Sequence, residues 1–227
     1  MGAAGEVLFR IGPLAVTRSV VVAWGIVALL GVFSALAAAR LTVEGPGRVQ
    51  AALEGIVLAI EQAIAEVIPS ESKRLLPFIG TLWIFLVAAN LAGVIPGLTS
   101  PTDSLSTTSA LAVLVFLAVH WYGVRAVGLR RYLRHYLSPS PILLPFHVIS
   151  ELTRTIALAV RLFGNIMSLE LAALLVLLVA GFLVPVPLLM LHIVEALVQA
   201  YIFGMLALVY IAGALQSQQE RLSNSKE

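Results

Sequence analysis

Residues 158–170 read "LAVRLFGNIMSLE", an arginine, a Gly-Asn pair and a glutamate set in an otherwise apolar run. The run continues through "LAALLVLLVAGFLV" at 171–184, so the segment reads as a helix at lipid depth. An arginine in the middle of such a helix costs roughly 2.5–3.5 kcal/mol on insertion scales. It persists where it faces a partner, a water-filled cavity or a transported species. The helical neighbours of Arg161 are Ala157, Leu158, Leu162, Asn165 and Ser168, and none is acidic. Its carboxylate is therefore expected from elsewhere. Glu170 lies nine residues further on. Nine steps of about 100° amount to a half turn with a rise of about 13.5 Å, so Glu170 points away from the arginine's face. Arg154 is a different case, because Glu151 precedes it by three residues near the start of the run. A Glu151–Arg154 pair on one helix face is expected to hold it. Gly164 and Asn165 suit close helix packing and an interhelical hydrogen bond.

The rest of the chain has the same solvent. Of 227 residues, 60% are hydrophobic and 11% charged, against roughly 25% charged in a soluble domain. No polar linker divides the sequence, so residues 1–227 are read as a single membrane domain of all-α polytopic class. A net charge of +2 is too small and too scattered for nucleic acid, which is not expected as a partner; the basic residues serve as topology signals. The absence of cysteine excludes disulfides, thiolate metal sites and thiol nucleophiles.

About 20 apolar residues cross the hydrocarbon core as a helix. Residues 20–39 form a first span, longer than the 7–15 residues of a signal-peptide core. In "GRVQAALEGIVLAIEQAIAEVI", residues 47–68, Arg48, Gln50, Glu54, Glu61, Gln62 and Glu66 share one arc at helical spacing. That pattern predicts an amphipathic helix, either lying on the membrane surface or packed on another helix. A spanning hairpin follows at 75–97 and 106–124, and two long helices at 145–184 and 188–215, divided by "VPVP". About five membrane helices result, followed by a polar and poorly ordered tail, "QSQQERLSNSKE".

Arg40, Arg48, Lys73 and Arg74 flank the amphipathic helix, Arg125, Arg130, Arg131 and Arg134 follow the third span, and Arg221 and Lys226 lie in the tail. The connections at 97–105 and 184–188 contain no Lys or Arg. The N-terminus is therefore expected outside and the C-terminus in the cytoplasm, with Arg10 and Arg18 as mild exceptions. In the last helix, His192, Glu195 and Gln199 lie on one stripe at i, i+3 and i+7. Packed as a hairpin, the last two helices bring Glu170 toward that stripe. A lane of titratable and polar groups through half the membrane suits ion conduction, against the plainer reading of interhelical hydrogen bonding. A secondary transporter is disfavoured by the lack of an internal repeat. No GxxxxGK[ST] phosphate-binding loop occurs, so no nucleotide site and no catalytic site are expected in this chain.

"TLWIFLVAANLAGVIPG", "ISELTRTIALAVRLFGNIMSLE" and "LHIVEALVQAYIFGML" occur in that order across residues 75–212. Together they resemble subunit a of the F-type ATP synthase, the stator half of its membrane ion channel. The resemblance implies that Arg161 matches the arginine facing the carboxylates of the rotating c-ring. Asn165, Glu170, His192 and Gln199 match polar positions of two aqueous half-channels, and Glu195 joins them as an ion-translocation candidate without a matched position. It further implies that the last two helices form a strongly tilted hairpin against the c-ring. The implied partners are the c-ring subunits, the subunit b peripheral stalk, the remainder of the F1Fo complex and the lipid bilayer of a bacterial inner membrane. No cofactor or metal is implied; the transported ion is the proton by default, with sodium the alternative. The family's Pro after the position of Arg154 is Thr155 here.

Overall fold

A computed structural model describes residues 7–11, 14–42, 47–95, 98–130, 132, 144–180 and 185–224; the side chain of Glu170 is among those outside it. Six α-helices run through the described residues: α1 Arg18–Ala38, α2 Arg48–Val67, α3 Ser72–Ala92, α4 Leu105–Val127, α5 Leu144–Ala180 and α6 Pro185–Asn224. The chain is an all-α polytopic membrane protein, with one small addition that the hydropathy pattern did not predict. Strands β1 Val7–Ile11 and β2 Leu14–Thr17 pair antiparallel ahead of α1, with Ile11 opposite Leu14 and Val7 opposite Thr17. Two strands of five and four residues give no long period for a sequence reading to detect.

Four helical stretches are long and apolar enough to cross a membrane among the described residues: Arg18–Ala38, Pro69–Ala92, Leu105–Val127 and Leu189–Gln216. At 37 residues, α5 is about 55 Å long, well beyond the roughly 30 Å hydrocarbon thickness. Proline at the first position of α6 starts that helix where its missing N–H costs nothing. The polar tail does not end it: the backbone stays helical to Asn224, because Gln, Glu and Arg are good helix formers.

Water does not drive these helices together, since lipid is as apolar as leucine; close packing does. The core joins Leu82, Trp83 and Leu86 of α3, Ala112 and Val115 of α4, Leu158 and Leu162 of α5, and Phe203, Leu208 and Ile211 of α6. Alanines at 112, 159, 196, 200 and 207 are buried in it and let neighbouring backbones approach. On α5 the buried set Leu158, Leu162 and Ile166 repeats every four residues, which fixes the face left to Arg161.

The second half of α2 packs on the bundle, the helix-packing alternative of the two. Ile64 is fully buried, with Ala63 and Val67 packed around the same core and Ile60 beside Gly80 of α3. Val49, Ile56, Val57 and Leu58 are exposed, as on a helix lying in an interface. The loop before it is tied back by Gln50, whose amide nitrogen donates to the Thr42 carbonyl at 2.8 Å and to Glu54 at 2.8 Å.

Candidate functional site: the α3–α5–α6 polar interior

Arg161 projects from α5 exposed, with no ion pair or hydrogen bond among the described residues. Ala157, Gly164 and Ser168 flank it on the same helix face. Among the described residues, nothing beyond its own helix backbone comes within 4 Å of the place a Cβ would take on Gly164. Along this part of the hairpin α5 exposes Ile156 and Val160, and α6 exposes Leu197 and Tyr201. A cation is thus presented on an apolar surface that is small-sided at its centre.

Asn165, one turn further along, leads inward. Its amide nitrogen donates to Gln199 Oε1 at 2.7 Å, bridging α5 and α6. Gln199 is 1% exposed, and its own amide nitrogen has no partner among the described residues. A buried donor left over in this way is what an ordered water satisfies. His192, on the same stripe, is also buried and lies beside Gly93, which caps the end of α3. A Cβ on Gly93 would come within 3.6 Å of His192 Nε2 and 3.1 Å of Ser100 Cβ, so glycine is what lets loop, α3 and imidazole meet. Glu195 lies half-buried at the edge of the stripe. The backbone of Glu170 is helical, and its side chain falls outside the described residues.

The expected Glu151–Arg154 pair is not formed. Among the described residues the ion pair is Arg74–Glu71, at 3.2 Å, and the Arg154 guanidinium instead lies 5.5 Å over the ring of Tyr210 on α6. Spacing along one helix reveals the carboxylate three residues away but not an aromatic face brought up by the next helix. A cation over a tyrosine ring keeps its charge stabilised while it faces α6.

The sequence reading missed the polar cluster on α3 altogether. Asn90 is fully buried; its amide nitrogen donates to the Ala196 carbonyl of α6 at 3.0 Å, and its oxygen accepts from Thr102 at 2.8 Å. Ser100 donates to the Ala89 carbonyl at 2.9 Å, and its oxygen lies 2.7 Å from that of Thr102. The two hydroxyl protons serve two of these three hydroxyl contacts at a time. The cluster pins α6 between His192 and Gln199. A single asparagine within "LVAANLAGV" was the available signal. Thr102→Val keeps the shape and removes the donor, leaving the buried Asn90 oxygen unserved at a cost of about 1–3 kcal/mol. The thermal midpoint of the extracted assembly should fall with Thr102→Val and recover with Thr102→Ser.

A family profile described as ATP synthase A chain matches residues 20–212. This chain belongs to that family. Its similarity extends to whole proteins: it is 62% identical to ATP synthase subunit a 2 of Pelobacter propionicus over 98% of this chain and 97% of that one. It is 64% identical to ATP synthase subunit a 1 of Hahella chejuensis, covering 96% and 93% of the two chains. Against ATP synthase subunit a of Legionella pneumophila the identity is 54%, over 93% and 92%. Membership in the ATP synthase A chain family makes the chain a multi-pass inner-membrane component of the F1Fo complex, within its Fo stator.

Proposed function

We propose that this chain carries protons to and from the c-ring through two half-channels and so couples ion flow to rotary ATP synthesis or hydrolysis. The observation that carries the reading is Arg161: a cation exposed on a helix face of small residues, with no partner among the described residues. A transmembrane cation without a carboxylate among the described residues calls for one on another chain, and the c-ring supplies one.

An ion enters from one side along the polar stripe and neutralises a ring carboxylate, which then turns into lipid. After most of a rotation the carboxylate meets Arg161, which favours its ionised form and releases the ion into the second half-channel. The same positive charge keeps cations from leaking directly between the two. Asn165 and Gln199 bridge the two helices beside that arginine, and His192 with Glu170 and Glu195 forms the titratable lane. The two long helices lie tilted against the ring, the N-terminus outside and the C-terminus in the cytoplasm. Subunit b holds this stator to the rest of the complex. With no phosphate-binding loop in the sequence, the chain makes no ATP by itself.

Passive proton flux through vesicles carrying the Fo sector tests the lane. His192→Ala, and separately Glu170→Gln, should slow that flux several-fold while assembly is kept. Unchanged flux in both would reduce the pair to packing residues. Flux that collapses when sodium is withdrawn at constant pH would replace the proton by sodium.

A further inference from the structure

At the end of the bundle where α3 begins and α4 finishes, a surface groove of about 690 Å³ opens. Phe78 of α3 and Leu114, Leu117, Ala118, Trp121 and Tyr122 of α4 line most of it. The Phe78 and Tyr122 rings stand 6.1 Å apart, and Trp121 is 63% exposed. From Leu114 to Val124 the α4 wall rises about 15 Å, which is one leaflet of a roughly 30 Å hydrocarbon core.

One end of this apolar wall is cationic. The Arg74 guanidinium lies 5.8 Å over the Tyr122 ring, with one nitrogen on Glu71 at 3.2 Å and further N–H groups left over. Arg125, in the last turn of α4, is exposed and has no partner among the described residues; its charge and that of Arg74 both act on Tyr122. Lys73 shares the first turn of α3. Among the described residues Arg74 is the one of these three cations in an ion pair, with Glu71. Tryptophan and tyrosine beside them are the side chains that seat at the level of lipid headgroups.

We propose that this groove binds an anionic phospholipid, its acyl chain along Leu114, Leu117 and Phe78 and its phosphate between Arg125 and Arg74. Guanidinium groups match the phosphate's oxygens in charge and geometry. A zwitterionic lipid brings its own ammonium into the cationic mouth, so the net positive charge selects the anionic kind. A protein helix would leave Arg125 without an anion and would need a wall deeper than one leaflet. The site is independent of the ion pathway and goes beyond the stator role.

The assembled complex, reconstituted in phosphatidylcholine vesicles, is irradiated with a tracer of phosphatidylglycerol carrying a photoactivatable acyl chain, or of the matching phosphatidylcholine. Labelled peptides are then mapped by mass spectrometry. Label at residues 114–124 should favour the anionic probe at least about five-fold, the factor that one nearby cation provides. Arg125→Gln should lower the preference by about the same factor. Equal labelling by both probes would reduce the groove to ordinary lipid contact and overturn the proposal. So would absence of label from either probe, which marks a protein partner seated there. Should Arg125→Gln fail to assemble, the preference measured on the unaltered complex still decides the matter.

Discussion

Arg161→Ala should abolish ATP-driven ion pumping in inverted membrane vesicles, to the level of vesicles without a coupled complex. The size of the effect follows from charge. A guanidinium and a carboxylate about 4 Å apart attract by about 4 kcal/mol at an effective dielectric of 20. One pKa unit is about 1.36 kcal/mol, so the arginine holds a ring carboxylate ionised by about three units. Without it the carboxylate keeps its ion, and the step that separates the two half-channels is lost. The side chain is exposed and makes no contact that holds its own helix among the described residues, so the chain should still insert and assemble. Assembly is checked by recovery of the complex from solubilised membranes. Near-normal pumping by an assembled Arg161→Ala complex would sink the proposed function.

Gly204→Ala should have the largest effect on stability. A Cβ at Gly204 would collide with the indole nitrogen and neighbouring ring atoms of Trp83. That indole is held by Tyr201 in two ways: its N–H donates to the Tyr201 carbonyl at 3.3 Å, and its ring stacks on the Tyr201 ring at 5.9 Å, within 4° of parallel. The tryptophan is buried in the core, so it can yield only by disturbing its neighbours. Overpacking of this kind costs about 1–3 kcal/mol, and here the lost hydrogen bond adds to it. A lower thermal midpoint and reduced recovery of the assembly are expected. Trp83→Phe, which shortens the ring at the collision, should restore part of both in the Gly204→Ala background. An unaltered midpoint would mean that α3 and α6 are not pressed together at this glycine.

Much of the architecture was legible because lipid imposes length and composition on whatever crosses it. The helix at 105–127 was expected at 106–124, and the arc of Arg48, Gln50 and Glu54 announced α2. Arg161 stood out by its cost alone. Other features lay beyond periodicity. The pairing of Asn165 with Gln199 joins residues 34 apart, and that of Asn90 with the Ala196 carbonyl joins residues 106 apart. Only the packing of three helices brings them together. Arg154 was assigned to Glu151 because sequence shows neighbours on one helix, whereas Tyr210 arrives from another. The β1–β2 ribbon was too short to announce itself.

The ties on α6 have a mechanical reading. Asn90 grips Ala196, Asn165 grips Gln199, Trp83 grips Tyr201 and Arg154 covers Tyr210, so four contacts from two helices secure about 21 Å of one helix. The two helices are α3 and α5, each touching it twice, and the contact of Arg154 with Tyr210 extends the support toward the end of the core. A beam clamped at several stations along its length does not bow or slide when a load is applied between them. For a part that must stand still while its neighbour turns, recoil then passes into the bundle as a whole, and the lone arginine on its face is spared from carrying it.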